Sequence, residues 1–145
     1  MDERTIERLI SSFNLLAPRG QELVDRFYAH LFSEHPEVRA MFPRDMKDQK
    51  QKLLGSLVLV VKNLRQAEQL RQPLMDMGQR HAGYGTQAEH YPVVRDTLVG
   101  VMAEMAGDAW TDQLDRDWRQ AVDFVASVMI EGARTATAAE AIARG

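Results

Sequence analysis

Apolar residues recur at three- and four-residue intervals along almost the whole chain, the spacing that places them on one face of an α-helix. Ile6, Leu9, Ile10, Phe13 and Leu16 form a first stripe, which Pro18 ends. Leu23, Phe27, Leu31 and Phe32 form a second, stopping near Pro36. Leu53, Leu57, Val60 or Val61, and Leu64 form a third. A shorter piece with Leu74, Met75 and Met77 leads to His81, with Pro73 near its predicted start. Tyr91, Val94, Leu98, Val101, Met102 and Met105 run to Gly107. Leu114, Trp118, Val122, Val125 and Met129 form the last stripe, for which Thr111 or Asp112 is a suitable N-cap. Sustained alternation of period two is missing, as are Asn-Gly and Asp-Gly hairpin signals. The pattern predicts an all-α fold of six to eight helices.

A chain of 145 residues with these stripes reads as one domain over 1–133, followed by an Ala- and Thr-rich tail, 134–145, expected to fray. Helix packing is expected to break off at Gly83 and Gly85, directly after His81, and FPRDMK (42–47) reads as a polar, flexible connection. The net charge of -3 and the lack of a basic stripe argue against nucleic acid as a partner. No cysteine is present, which excludes disulfides, thiolate metal sites, cysteine nucleophiles and thioether attachment of a cofactor. The longest apolar run, Leu57 to Val61, is far too short to span a membrane, and MDERTIERLI does not resemble a secretion signal. The expected location is cytoplasmic.

Of the four histidines, His81 is distinctive because it ends a helical stripe and precedes glycines. An iron porphyrin needs such a group: a neutral imidazole on a rigid element, projecting into an apolar slot, its second nitrogen held by a carbonyl one turn back, here that of Met77. The plainer reading is a helix-end histidine among free carbonyls. His30, His35 and His90 read as solvated residues. Tyr28 is compatible with an ordinary core position, and Gln49, within KDQKQK, with a solvated helix start. Gly83-Tyr84-Gly85 follows no strand and is no dinucleotide loop.

Taken in order, these pieces resemble a known family. FYAHLFSEHPEVRAMF (27–42) is similar to the B helix and C region of bacterial single-domain haemoglobins and of the globin domain of flavohaemoglobins. GQRHAGYG resembles the end of their F helix, and EHYPVVRDTLVGVMAEMAGDAWTDQL (89–114) their G helix and GH corner. Trp118 and the stripe after it resemble the H helix. The resemblance spans about residues 3 to 133.

It implies a globin fold around a haem pocket holding haem b (iron protoporphyrin IX). His81 matches the proximal iron ligand, Phe42 the phenylalanine flat against the haem, and Tyr28 the distal tyrosine that donates to bound gas. Gln49 matches the distal glutamine and Leu53 the apolar residue over the iron. Tyr91 matches the tyrosine beneath the proximal histidine, and Phe27, Leu57, Val94 and Leu98 would line the pocket. One departure stands out. Counted from Trp118, the family's H-helix glutamate falls on Ala133, and Glu131 lies on another helix face. The implied activity is reversible binding of dioxygen, and of nitric oxide or carbon monoxide, for storage, delivery or sensing. Nitric oxide dioxygenation with a separate reductase is the alternative, and a regulatory domain without haem is a second one. Monomer and homodimer both remain open, as does excision from a longer sensor.

Overall fold

The computed structural model describes the backbone of residues 1–144 and the side chains of residues 1–135. Among the described residues there are six α-helices and no strand: α1 (Glu3–Leu16), α2 (Gly20–Glu34), α3 (Lys47–Lys62), α4 (Ala67–Gly83), α5 (His90–Ala106) and α6 (Asp112–Arg144). Short 3-10 turns occupy Ala17–Arg19, Pro36–Met41, Leu64–Gln66 and Gly107–Ala109. Among the described residues, no helix is long and apolar enough to cross a membrane. The expected tail lies, beyond Thr135, outside the residues whose side chains are described.

The helix ends follow local chemistry. Asp2 accepts the Thr5 N–H at 2.8 Å and caps α1. Thr111 Oγ1 accepts the Leu114 N–H at 3.0 Å, so Thr111 caps α6. Gly107 closes α5 with φ 56°, a conformation that glycine adopts without a Cβ penalty. The fourth helix differs from expectation. It starts at Ala67, so Pro73 lies inside it, with buried Leu70 before the proline and buried Leu74 and Gly78 after it. Leu70 and Leu74, one turn apart, are almost wholly buried, and their packing outweighs the hydrogen bond the proline cannot make. Nor does the helix break off directly after His81: it continues to Gly83.

The core is built from the stripes. Leu9, Leu16, Leu23, Leu70, Leu74 and Met102 are essentially inaccessible to solvent. α2 packs across α5, while α1, α4 and α5 all pack on α6. Two polar ties fasten α1 to α6. Trp118 Nε1 donates to Ser12 Oγ at 2.9 Å, and the Ser12 hydroxyl donates to the Leu9 carbonyl. Arg8 grips the nearly inaccessible Asp117 carboxylate through two nitrogens, at 2.5 and 3.1 Å. Burial alone would raise the Asp117 pKa, but hydrogen bonds from Arg8 and Gln113 and the nearby positive charges carry it below the ordinary carboxylate range.

The consecutive helices α3 and α4 do not pack on each other: α3 rests on α2 and α1, and α4 rests chiefly on α6. Both helices carry residues singled out from the sequence: Gln49, Leu53 and Leu57 on α3, and His81 on α4.

Candidate functional site

The first part of the candidate site is the end of α4. His81 is half-buried there, and its Nδ1 lies 2.7 Å from the Met77 carbonyl one turn back, the carbonyl anticipated from the sequence. A carbonyl only accepts, so Nδ1 carries a proton, and in the neutral ring the lone pair lies on Nε2. The helix end is locked around this residue. Thr86 N–H donates to the His81 carbonyl at 3.0 Å and Gly85 N–H to the Ala82 carbonyl at 3.1 Å. Gly85 has φ 88°. This is a Schellman turn with glycine at its left-handed position. Gly85 therefore ends the helix, whereas Gly83 is still helical. The Tyr84 ring stands edge-on to the His81 ring, with centroids 6.1 Å apart.

The second part comes from α2, α3 and the corner between them. Tyr28 is buried on α2, with edge contacts to Phe27 at 4.9 Å and Phe42 at 5.7 Å, and a tilted contact to Phe32 at 5.7 Å. Gln49, in the first turn of α3, donates its amide N–H to the Tyr28 hydroxyl at 3.2 Å. The phenol is thus an acceptor toward Gln49, and its own proton points elsewhere. Burial raises the Tyr28 pKa and outweighs the opposing effect of Gln49, so the phenol is protonated throughout the neutral range. The same burial defers to still higher pH any phenolate that could bind iron.

The corner at 42–47 is tied down, contrary to its reading as flexible. Arg39 donates to the carbonyls of Phe42, Pro43 and Arg44, at 3.4, 2.9 and 3.0 Å. Its guanidinium also stacks over the Phe32 ring, 5.0 Å from the centroid. Sequence reasoning missed Arg39; its only signal was an arginine three residues before Phe42.

Several apolar side chains of these elements are left half-buried: Phe42, Leu53, Leu57, Met77, Tyr91 and Val94 all pack on the core with part of their surface uncovered. Burial raises the Tyr91 pKa as well. Phe27 and Leu98, also expected to line the pocket, are deeper, fully within the core. A flat apolar cofactor with one open metal position fits what is present. The half-buried apolar rim offers it surface, His81 Nε2 offers a lone pair, and the Met77 carbonyl fixes that lone pair's tautomer. No cluster of three or more acidic or histidine side chains able to hold a bare metal ion occurs among the described residues.

Glu131 forms an ion pair with Arg71 across the outer faces of α6 and α4, both side chains about half exposed.

Comparison with known proteins agrees with this arrangement. The globin family model matches residues 25–129. The chain is 28% identical over 132 residues to a flavohemoprotein of Rhizobium meliloti (strain 1021), and 32% identical over 133 residues to one of Bacillus thuringiensis subsp. konkukian (strain 97-27). These matches cover 89% and 90% of the chain and 33% of each relative, so the chain spans about a third of the length of the curated relatives it matches. Among solved structures, an engineered carbene transferase, provisionally a nitric oxide dioxygenase, from Rhodothermus marinus superposes with TM-score 0.87 at 26% identity, covering 97% of this chain and 99% of that one. A bacterial globin from Campylobacter jejuni shares the fold with TM-score 0.83 at 22% identity, covering 92% and 97%. A family match through most of the helices, joined to an all-helical fold, means that the chain belongs to the globin family and is a haem protein.

Proposed function

We propose that this protein binds dioxygen reversibly at a haem b held through His81, for storage, delivery or sensing. The observation that carries this reading is the Gln49–Tyr28 hydrogen bond, in which the amide donates and the buried phenol keeps its proton for another acceptor. When bound, haem supplies a ferrous iron with reversible affinity for diatomic gases.

The rest is work for the chain's own side chains. His81 offers Nε2, and the Met77 carbonyl prevents the ring from turning or taking the other tautomer. Tyr28 offers a hydroxyl donor in a dry aromatic corner, where a hydrogen bond to a polarised ligand is stronger than in water. Dioxygen gains more from that donor than the less polar carbon monoxide. Gln49 orients the phenol and, unlike a histidine, is no strong iron ligand. Leu53 and Leu57 on α3 limit water, and Phe42 presents an aromatic face whose backbone Arg39 holds.

Nitric oxide dioxygenation with a separate reductase is the second reading, favoured by the likeness to flavohemoproteins. The engagement of Glu131 with Arg71 weighs against it, because a carboxylate that would make the proximal histidine more basic is directed elsewhere. The half-buried apolar rim weighs against a form without haem, since an exposed apolar cleft is unfavourable without an occupant.

The test is an absorption spectrum of the purified protein, ferric, then reduced, then exposed to oxygen. A Soret band that shifts to a persistent oxygenated form is expected. A protein with no Soret band even after addition of hemin would overturn the proposal. Sustained nitric oxide consumption with a reductase would shift the choice to the second reading.

A further inference from the structure

The face of α4 that carries His81 one turn further on meets α6 without any side chain at two points. A Cβ built on Gly78 would lie 1.8 Å from the Met129 carbonyl oxygen, and one built on Gly132 would lie 2.2 Å from the Met75 carbonyl oxygen. The arrangement is reciprocal: each glycine sits over the carbonyl of the residue three places before the other glycine. Gly78 is buried, and the backbones of the two helices are in direct contact. Real Cβ contacts stay beyond 3.0 Å, so a methyl group at Gly78 requires the helices to part by about 1.2 Å along that line. A backbone oxygen in mid-helix cannot swing aside as a side chain would.

We propose that Gly78 and Gly132 form a joint that positions His81, fixing where α4 sits on α6 and hence where Nε2 is presented to the cofactor. The proposal deepens the reading of His81 as iron ligand and rests on it. Gly78 is only three residues before His81, and the intervening helix is rigid. The Schellman turn holds the other side of His81, so a displacement at Gly78 is transmitted to the imidazole and not absorbed beyond it. Gly78 and Gly132 are therefore positioning residues, acting through His81 and touching no ligand themselves.

The experiment uses haem-loaded protein and the iron–histidine stretching band of the ferrous form, read by resonance Raman spectroscopy. Gly78→Ala is expected to shift and broaden the band, and to accelerate haem loss about 10- to 100-fold. Gly132→Ala, whose clash is milder, provides a second variant if the first does not fold, and its band is expected to shift less. Each substitution is then placed in a His81→Gly background supplied with free imidazole, which has no covalent tether to α4. There the iron–imidazole band is expected to be the same with or without the glycine substitution. A band unmoved in both folded single variants would overturn the joint. A shift that persists undiminished with free imidazole would also overturn it, since the cause would then be a general distortion of the pocket. A wild-type protein with no iron–histidine band would overturn the ligand reading itself, an outcome distinct from the other two.

Discussion

Substituting Tyr28 by Phe removes one oxygen atom and leaves the aromatic packing in place, because the contacts to Phe27, Phe32 and Phe42 are made by the ring. Two interactions are lost. The bond from Gln49 is neutral and, at 3.2 Å, long; it contributes about 0.5–1 kcal/mol, and the half-buried amide can turn to water. The bond from the phenol proton to a polarised gas is stronger, about 1.5–3 kcal/mol by the measure of hydrogen bonds to charged groups. Stability should therefore change little, while the oxygen dissociation rate rises about 10- to 100-fold, a factor of ten for each 1.4 kcal/mol. Stopped-flow displacement of oxygen by carbon monoxide measures that rate directly. Carbon monoxide dissociation should be much less affected. Because burial raises the Tyr28 pKa, the wild-type rate should also be flat across the neutral pH range. An off-rate in Tyr28→Phe within about twofold of wild type would mean that the phenol gives less than about 0.5 kcal/mol to the ligand and would refute the distal assignment.

Other substitutions probe the remaining parts. His81→Ala should lose haem or hold it loosely, and an unchanged haem content with an unchanged ferrous spectrum would remove His81 from the iron. Gly85→Ala meets no neighbouring atom but forces a side chain to φ 88°; it should destabilise the fold by about 1–2 kcal/mol, lowering the melting temperature by several degrees, and an unchanged melt would contradict it. Asp117 has a folded-state pKa below its unfolded value, so its contribution is present above the ordinary carboxylate pKa and is lost as pH falls through the folded one. Thermal melts of Asp117→Asn against wild type from pH 7 to pH 3 should show a deficit for the variant at neutral pH that narrows on acidification; a constant deficit would contradict the linkage.

Much of this molecule was legible in its residues because helix periodicity and capping are local. The stripes at Ile6–Leu16 and Leu23–Phe32 became α1 and α2 nearly as read, and Thr111 was one of the two caps foreseen, the other being Asp112. The histidine's partner carbonyl was also legible, since the i−4 position of a helix is fixed geometry. Pro73 misled because its local cost was visible while the compensating burial of Leu70 and Leu74 against other helices was not. Gly83 and Gly85 looked alike, and only the path of the chain beyond them decides which takes the left-handed turn. The Arg39 clamp and the Gly78–Gly132 joint depend on what lies opposite in space, about which a single sequence is silent.

The failure of α3 and α4 to pack together has an evolutionary consequence. The wall bearing Tyr28 and Gln49 is moored to α1 and α2, and the wall bearing His81 is moored to α6. Changes at well-separated sites without shared partners combine additively. Here α1 packs on both α3 and α6, and α5 on both α2 and α6, so the walls communicate only through shared neighbours; a lineage carrying this fold can thus vary Tyr28 and Gln49 with no more than an indirect effect on the histidine anchor.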